Sequence, residues 1–105
     1  MKAILTDTTL RITFNGDLLS TNVAALRTEL LAHIQNHPDA STIIADLSQA
    51  SFVDSQGLNL IVALLRESER RKVAFRVENP GPEIHRLITL LNLSERLGLA
   101  ASSLP

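Results

Sequence analysis

The chain has no cysteine, no tryptophan and no tyrosine, and only three phenylalanines in 105 residues. The missing cysteines exclude disulfides, thiolate metal sites and cysteine nucleophiles together, and they fit a reducing compartment. The missing aromatics require an aliphatic core of Leu, Ile, Val and Ala. An excess of one charge sign is missing too. The formal net charge is -1, so neither nucleic acid nor an acidic membrane is indicated as a partner. The basic run Arg70-Arg71-Lys72 is short and follows a helical pattern. Cations suit a helix C-terminus, and the run reads as a solvated helix end. No apolar run approaches the roughly 20 residues that a membrane span needs, so no direct membrane insertion is expected. The segment Met1-Lys2-Ala3-Ile4-Leu5 reaches Asp7 too soon to form the apolar region of a signal peptide. A soluble cytoplasmic protein is expected.

Catalytic signatures are also lacking. There is no G-x-S-x-G elbow, no G-x-x-x-x-G-K-S/T phosphate loop and no H-E-x-x-H pair. His33 and His37 are four residues apart but have no further ligands beside them, and they read as an exposed pair near a helix end. His85 falls between core positions of a helix and is assigned to its solvent side. Asp46, Asp54 and Ser48 bring only two carboxylates to any cation, which is thin for a metal site. No cofactor, no metal and no enzymatic activity are expected.

What is present is an alternation of strand and helix patterns in one domain, residues 1–105. Ile4-Leu5 and Leu10-Arg11-Ile12-Thr13-Phe14 read as strands joined by the turn residues Asp7-Thr8-Thr9. Ser20 or Thr21 is placed to cap a helix with Val23, Leu26, Leu30 and Ile34 on one face. Pro38 ends that helix. Thr42-Ile43-Ile44-Ala45-Asp46-Leu47 is short, β-branched and nearly all apolar, as a central strand is. A second helix follows Asp54, with Leu58, Ile61, Val62 and Leu65 at core spacing. Val73–Val77 is a further strand. Asn79-Pro80-Gly81-Pro82 is a turn. A third helix carries Ile84, Leu87, Ile88 and Leu91, and residues 97–101 read as a last short strand or coil. The order β-β-α-β-α-β-α predicts an α/β fold: a small, mostly parallel sheet of four or five strands, an N-terminal hairpin and about three helices.

The most informative segment is Asp54-Ser55-Gln56-Gly57. Asp54 stands where a helix begins and can accept bonds from its first free amides. Ser55 then lies in the first turn, near the surface. A glycine in that turn weakens the helix and so points to close packing. From spacing alone, plain helix capping is favoured over a regulatory role, because capping is far commoner than signalling. A helix N-terminus tolerates an added phosphoryl group, because its free amides and dipole favour negative charge.

The run Ile43-Ile44-Ala45-Asp46-Leu47, followed by Phe52-Val53-Asp54-Ser55-Gln56-Gly57-Leu58, resembles the signature of STAS domains. More narrowly, it resembles that of the bacterial anti-sigma-factor antagonists. The resemblance extends to Gly16-Asp17 and to Leu90-Leu91-Asn92-Leu93. It implies a STAS-like fold. It also implies that Ser55 is phosphorylated by a partner that is both serine kinase and anti-sigma factor, and that a serine phosphatase reverses this. The unmodified antagonist would bind the partner and free the sigma factor. The implied partner surface is Asp17, Asp46, Asp54, Ser55, Gln56, Gly57 and Asn59, on a monomer or weak dimer. The chain departs from the family pattern at Leu18-Leu19-Ser20, where many antagonists carry a second acidic residue. It departs again at Gln56, where Ser or Thr is usual. Two alternatives share the resemblance: a STAS subunit of a lipid-transporting ABC complex that docks without phosphorylation, and a ligand- or nucleotide-sensing module.

Overall fold

A computed structural model describes residues 1–90. The elements run β1 (Lys2–Thr6), β2 (Thr9–Thr13), α1 (Val23–Asn36), β3 (Thr42–Asp46), α2 (Ser55–Arg70), β4 (Ala74–Glu78) and α3 (Pro82–Leu90). The sheet order is β1-β2-β3-β4. β1 and β2 form the expected antiparallel hairpin, closed by the pair Thr6↔Thr9 around a two-residue turn. β2 pairs with β3, and β3 with β4, in parallel. The mostly parallel sheet, the hairpin and the three helices agree with the sequence pattern. The expected strand at residues 97–101, and Leu91 to Leu93, lie outside the described residues.

Alternation sorts the strands into two faces. Leu10, Ile12, Ile43, Ala45, Phe75 and Val77 join Leu30, Ile34, Leu60, Ile61, Leu64, Leu65, Ile84 and Ile88 in one apolar core. All three described helices therefore contribute to the same side of the sheet. The opposite face carries Arg11, Ile44, Asp46, Arg76 and Glu78 in register. There Arg11 bridges Asp46 and Glu78, and Arg76 also reaches Glu78. β3 is buried along nearly its whole length, as its unbroken apolar run requires.

Several local expectations are corrected. Neither Ser20 nor Thr21 caps α1. The helix starts one or two residues later, behind Asn22, whose Oδ1 accepts the Leu19 amide instead of capping. In α2 the buried stripe is Gly57, Leu60, Ile61, Leu64, Leu65 and Ser68, while Leu58 and Val62 are half-buried. The stripe has ideal helical spacing, but a glycine and a serine stand at its two ends, so apolar counting misses its phase. Ser68 is accommodated because its hydroxyl donates to the Leu64 carbonyl.

His85 is not on the solvent side of α3. It is only 4% exposed, because the inward face of α3 is Ile84, His85 and Ile88 rather than one centred on Leu87. Its Nε2 has no hydrogen-bond partner among the described residues. His33 and His37 are half-buried, and a His37 ring nitrogen lies 2.8 Å from the His33 carbonyl, tying the end of α1.

Candidate functional site

The loops after β2 and β3 meet at the sheet edge where the parallel strands end. Backbone bonds lace them together. The Leu18 amide donates to the Phe52 carbonyl at 3.0 Å, and the Asp54 amide donates to the Leu18 carbonyl at 3.1 Å. Leu18 and Val53 thus form a one-residue parallel bridge. The Leu18 side chain is fully buried, so the bridge is fixed from below by the core as well as laterally.

Two carboxylates reinforce this lacing. Asp17 Oδ1 accepts the amides of Ser51 at 2.8 Å and Phe52 at 3.0 Å. Asp54 does the reciprocal job. Its Oδ1 accepts the Gly57 amide at 2.9 Å, capping α2, and its Oδ2 accepts the Ser20 amide at 2.8 Å. Each carboxylate sits on one loop and holds the backbone of the other. The Gly57 amide, followed by that of Ser20, holds Asp54 below the ordinary carboxylate range.

Gly57 explains why the loops can approach so closely. A Cβ built there would lie 2.1 Å from the Leu18 carbonyl oxygen and 2.8 Å from its carbon. Only glycine lets α2 start against that backbone, which is the close packing its place in the first turn implied. Gly57 is buried, so it shapes the surface without being on it.

Ser55 is the first residue of α2 and is exposed. Gln56 and Asn59 are exposed on the same helix, Asn59 one turn beyond Ser55. Asp46 stands apart from this group. It is at the end of β3 on the far face of the sheet, 9% exposed, and its oxygens are taken by Arg11 at 3.1 Å, the Ser48 amide at 3.0 Å and Asn79 at 3.2 Å. Burial pushes the Asp46 carboxyl up, but the bonds from Ser48, Asn79 and Arg11 outweigh it and hold the group below its ordinary value. Asp46 is a structural link between strands, apart from the turn that presents Ser55. Among the described residues no three His, Asp or Glu side chains gather as metal ligands would.

Phe52 has no place in the set read from the sequence. It is 60% exposed, between the Asp17-bound amides and Asp54, and its backbone is held on both sides. An aromatic at a polar loop with no periodic partner was the available signal. Large aromatics on fixed backbone are typical interface anchors. Grooves of about 210 Å³ between α1 and α2, and about 260 Å³ beside His37 and Arg71, lie elsewhere and do not include Ser55. The surface around Ser55 is a presented turn, suited to another macromolecule's surface.

The comparisons agree with this architecture. The family model for the STAS domain matches residues 1–103. No curated protein matches the chain in sequence. Among solved structures, the anti-sigma factor antagonist SpoIIAA in its unphosphorylated form is similar at TM-score 0.74 and 25% identity, over 90% of this chain and 82% of that one. The phosphorylated form of SpoIIAA from Bacillus is similar at TM-score 0.70 and 26% identity, over 90% and 85%. The murine anion transporter Slc26a9 is similar at TM-score 0.73 and 22% identity, over 84% of this chain and 14% of that one.

Proposed function

The chain belongs to the STAS domain family, and on that premise we propose that it is an anti-sigma-factor antagonist-like binding protein, not an enzyme, switched by phosphorylation of Ser55. The observation that carries this reading is an exposed serine on a turn whose flanking backbone is held by Asp17 and Asp54. The likeness to SpoIIAA in both its unphosphorylated and phosphorylated forms supports it.

The local bonds dictate how such a switch acts. The Gly57 amide at the start of α2 already serves the Asp54 carboxylate. A phosphoryl group on Ser55 has to displace Asp54 or stay outward. Displacing it would release both the cap and the Ser20 loop. Staying outward leaves the fold intact and adds about -1.5 to -2 charge beside an existing carboxylate. The partner surface then meets repulsion where it met a hydroxyl. The transfer moves the γ-phosphoryl of ATP to the Ser55 oxygen, releasing ADP and the hydroxyl proton. Hydrolysis by a serine phosphatase returns the hydroxyl and inorganic phosphate. The nucleotide belongs to the kinase, since this chain has no phosphate loop.

Incubation with a cognate serine kinase and ATP, followed by mass spectrometry, is expected to place one phosphoryl group on Ser55. Ser55→Ala keeps partner binding and takes no phosphate, whereas Ser55→Asp loses binding. No phosphate on Ser55, together with normal binding by Ser55→Asp, overturns the switch. A second reading, a docking subunit of a transport complex, draws on the fold-level likeness to Slc26a9. Its signature is binding to a transport ATPase that Ser55→Asp leaves unchanged.

A further inference from the structure

β1 is an edge strand, and no described strand pairs with its outer side. It exposes two large aliphatic side chains in succession, Ile4 at 47% and Leu5 at 40%. Exposed apolar edges are templates for pairing, and proteins that must avoid it place charge, proline or a bulge there. β1 has none within its span except Lys2 at one end. We propose that β1 pairs antiparallel with β1 of a second copy, forming a two-fold dimer centred on Ile4.

The register follows from the hydrogen-bond parity of the sheet. The Phe14 amide donates to the Asp46 carbonyl of β3, so the even-numbered residues of β2 point their backbone groups toward β3. Thr9, Arg11 and Thr13 therefore point toward β1, where their partners are Thr6, Ile4 and Lys2. That leaves Ala3 and Leu5 with backbone N–H and C=O groups directed outward. A two-fold axis through Ile4 sets Ala3 of one copy opposite Leu5 of the other, twice. Each such pair exchanges two hydrogen bonds, and every outward group of the two residues is satisfied. A two-fold axis through Ala3 or Leu5 sets that residue opposite itself and leaves the other opposite Met1 or Asp7, which lie outside β1.

The side chains suit the same register. Ala3, the smallest residue on the strand, faces the larger Leu5 of the other copy, on the helix side of the sheet. Ile4 faces its own copy across a non-hydrogen-bonded pair, where Cα atoms stand only about 4.5 Å apart and side chains touch. Lys2 faces the uncharged Thr6 of the other copy, so no like charges face each other across the strands. Two such strands bury less than the roughly 1,600 Å² of a standard interface, so the dimer is a weak one.

The absence of cysteine makes the register directly testable. The wild-type protein is expected to show a monomer–dimer equilibrium by sedimentation velocity, with the dimer fraction rising as concentration is raised toward about 1 mM. Ile4→Cys should form a disulfide dimer under glutathione redox buffer, since the Cα spacing lies within the range a disulfide spans. Thr6→Cys, whose opposite residue is Lys2, should stay uncrosslinked under the same conditions. Leu5→Pro removes an outward N–H and no β1–β2 bond, a substitution that edge strands tolerate; it should sediment as a monomer. If Leu5→Pro unfolds, Leu5→Lys tests the same edge without a backbone change. A wild-type protein that stays monomeric at about 1 mM overturns the proposal. Crosslinking of Thr6→Cys as fast as Ile4→Cys overturns it too.

Discussion

The two ends of α2 are each stabilised by a carboxylate, and the two carboxylates do different things. At the N-terminus Asp54 accepts backbone amides from its own helix and from the Ser20 loop. At the C-terminus Glu67 accepts from the side chains of Arg70 and Arg71, three and four residues further along the helix. A backbone amide cannot leave without moving the chain, so Asp54 fixes a shape. A guanidinium on a flexible stem can turn to water, so Glu67 decorates a helix whose shape is already set. The difference shows why the N-terminal turn is fit to present Ser55 and the C-terminal turn is not fit to present anything.

The strongest way to break this contrast is Gly57→Ala. The added methyl meets the Leu18 carbonyl at 2.1 Å, and backbone has to give way. Overpacking of this kind costs about 1–3 kcal/mol, and the expectation here is the upper half of that range by urea unfolding. Hydrogen exchange should quicken at the amides of Leu18 and Asp54, which hold the loops together. A melting temperature within a degree of wild type would mean that the close approach is not a constraint.

Next comes Asp17→Ala, which frees the amides of Ser51 and Phe52. Two lost bonds on a partly solvated loop amount to about 1–2 kcal/mol. The larger readout is functional. Phe52 loses one of the two anchors of its backbone, so on the proposed function partner affinity should fall about tenfold. Phe52→Ala should lose partner affinity as well, with stability within about 0.5 kcal/mol of wild type, as is usual for an exposed side chain.

Asp54→Asn separates the two roles of one carboxylate. Asn still caps α2 through its oxygen, but the amide nitrogen cannot accept the Ser20 N–H. A Tm loss of a few degrees is expected. Because Asp54 is held below its ordinary value of 3.8 when folded, its contribution is present above that value and lost as pH falls through the depressed one. Wild type and variant should therefore differ near neutrality and converge as the pH drops below about 4. A gap that stays constant from pH 7 to pH 3 would remove the charge from the explanation.

Much of this contrast could be read before any coordinates. The β-branched run of β3, the hairpin turn and the Asp54 cap are local patterns, and local patterns appear in sequence. Ser55 at the start of α2 followed from them. The Asp17 bonds to Ser51 and Phe52 join residues more than thirty positions apart, and no spacing rule links such residues. The same holds for Leu18 against Gly57: a glycine announces a close approach but not what approaches. The bonds that Asp46 takes from Arg11 and Asn79 come from other elements and could not be read from spacing either. His85 was misplaced because polar residues are assumed to face water, although Ile84 and Ile88 carry it inward with them.

The smallest effect belongs to the other end of the helix. Arg70 and Arg71 hold Glu67 down to about 2 from 4.5, which looks like a strong interaction. Arg70 is mostly exposed, however, with 67% of its side chain accessible, and solvent screens such pairs heavily. Glu67→Gln should therefore shift the melting temperature by no more than about 2 °C near neutral pH. The sign follows from the depressed value: the contribution exists above about pH 4.5, fades as pH falls toward 2, and shrinks in about 1 M salt. Partner binding and Ser55 phosphorylation should be unchanged. A loss from Glu67→Gln as large as that from Asp54→Asn, and insensitive to salt, would show that side-chain pairing holds α2 as firmly as backbone capture does.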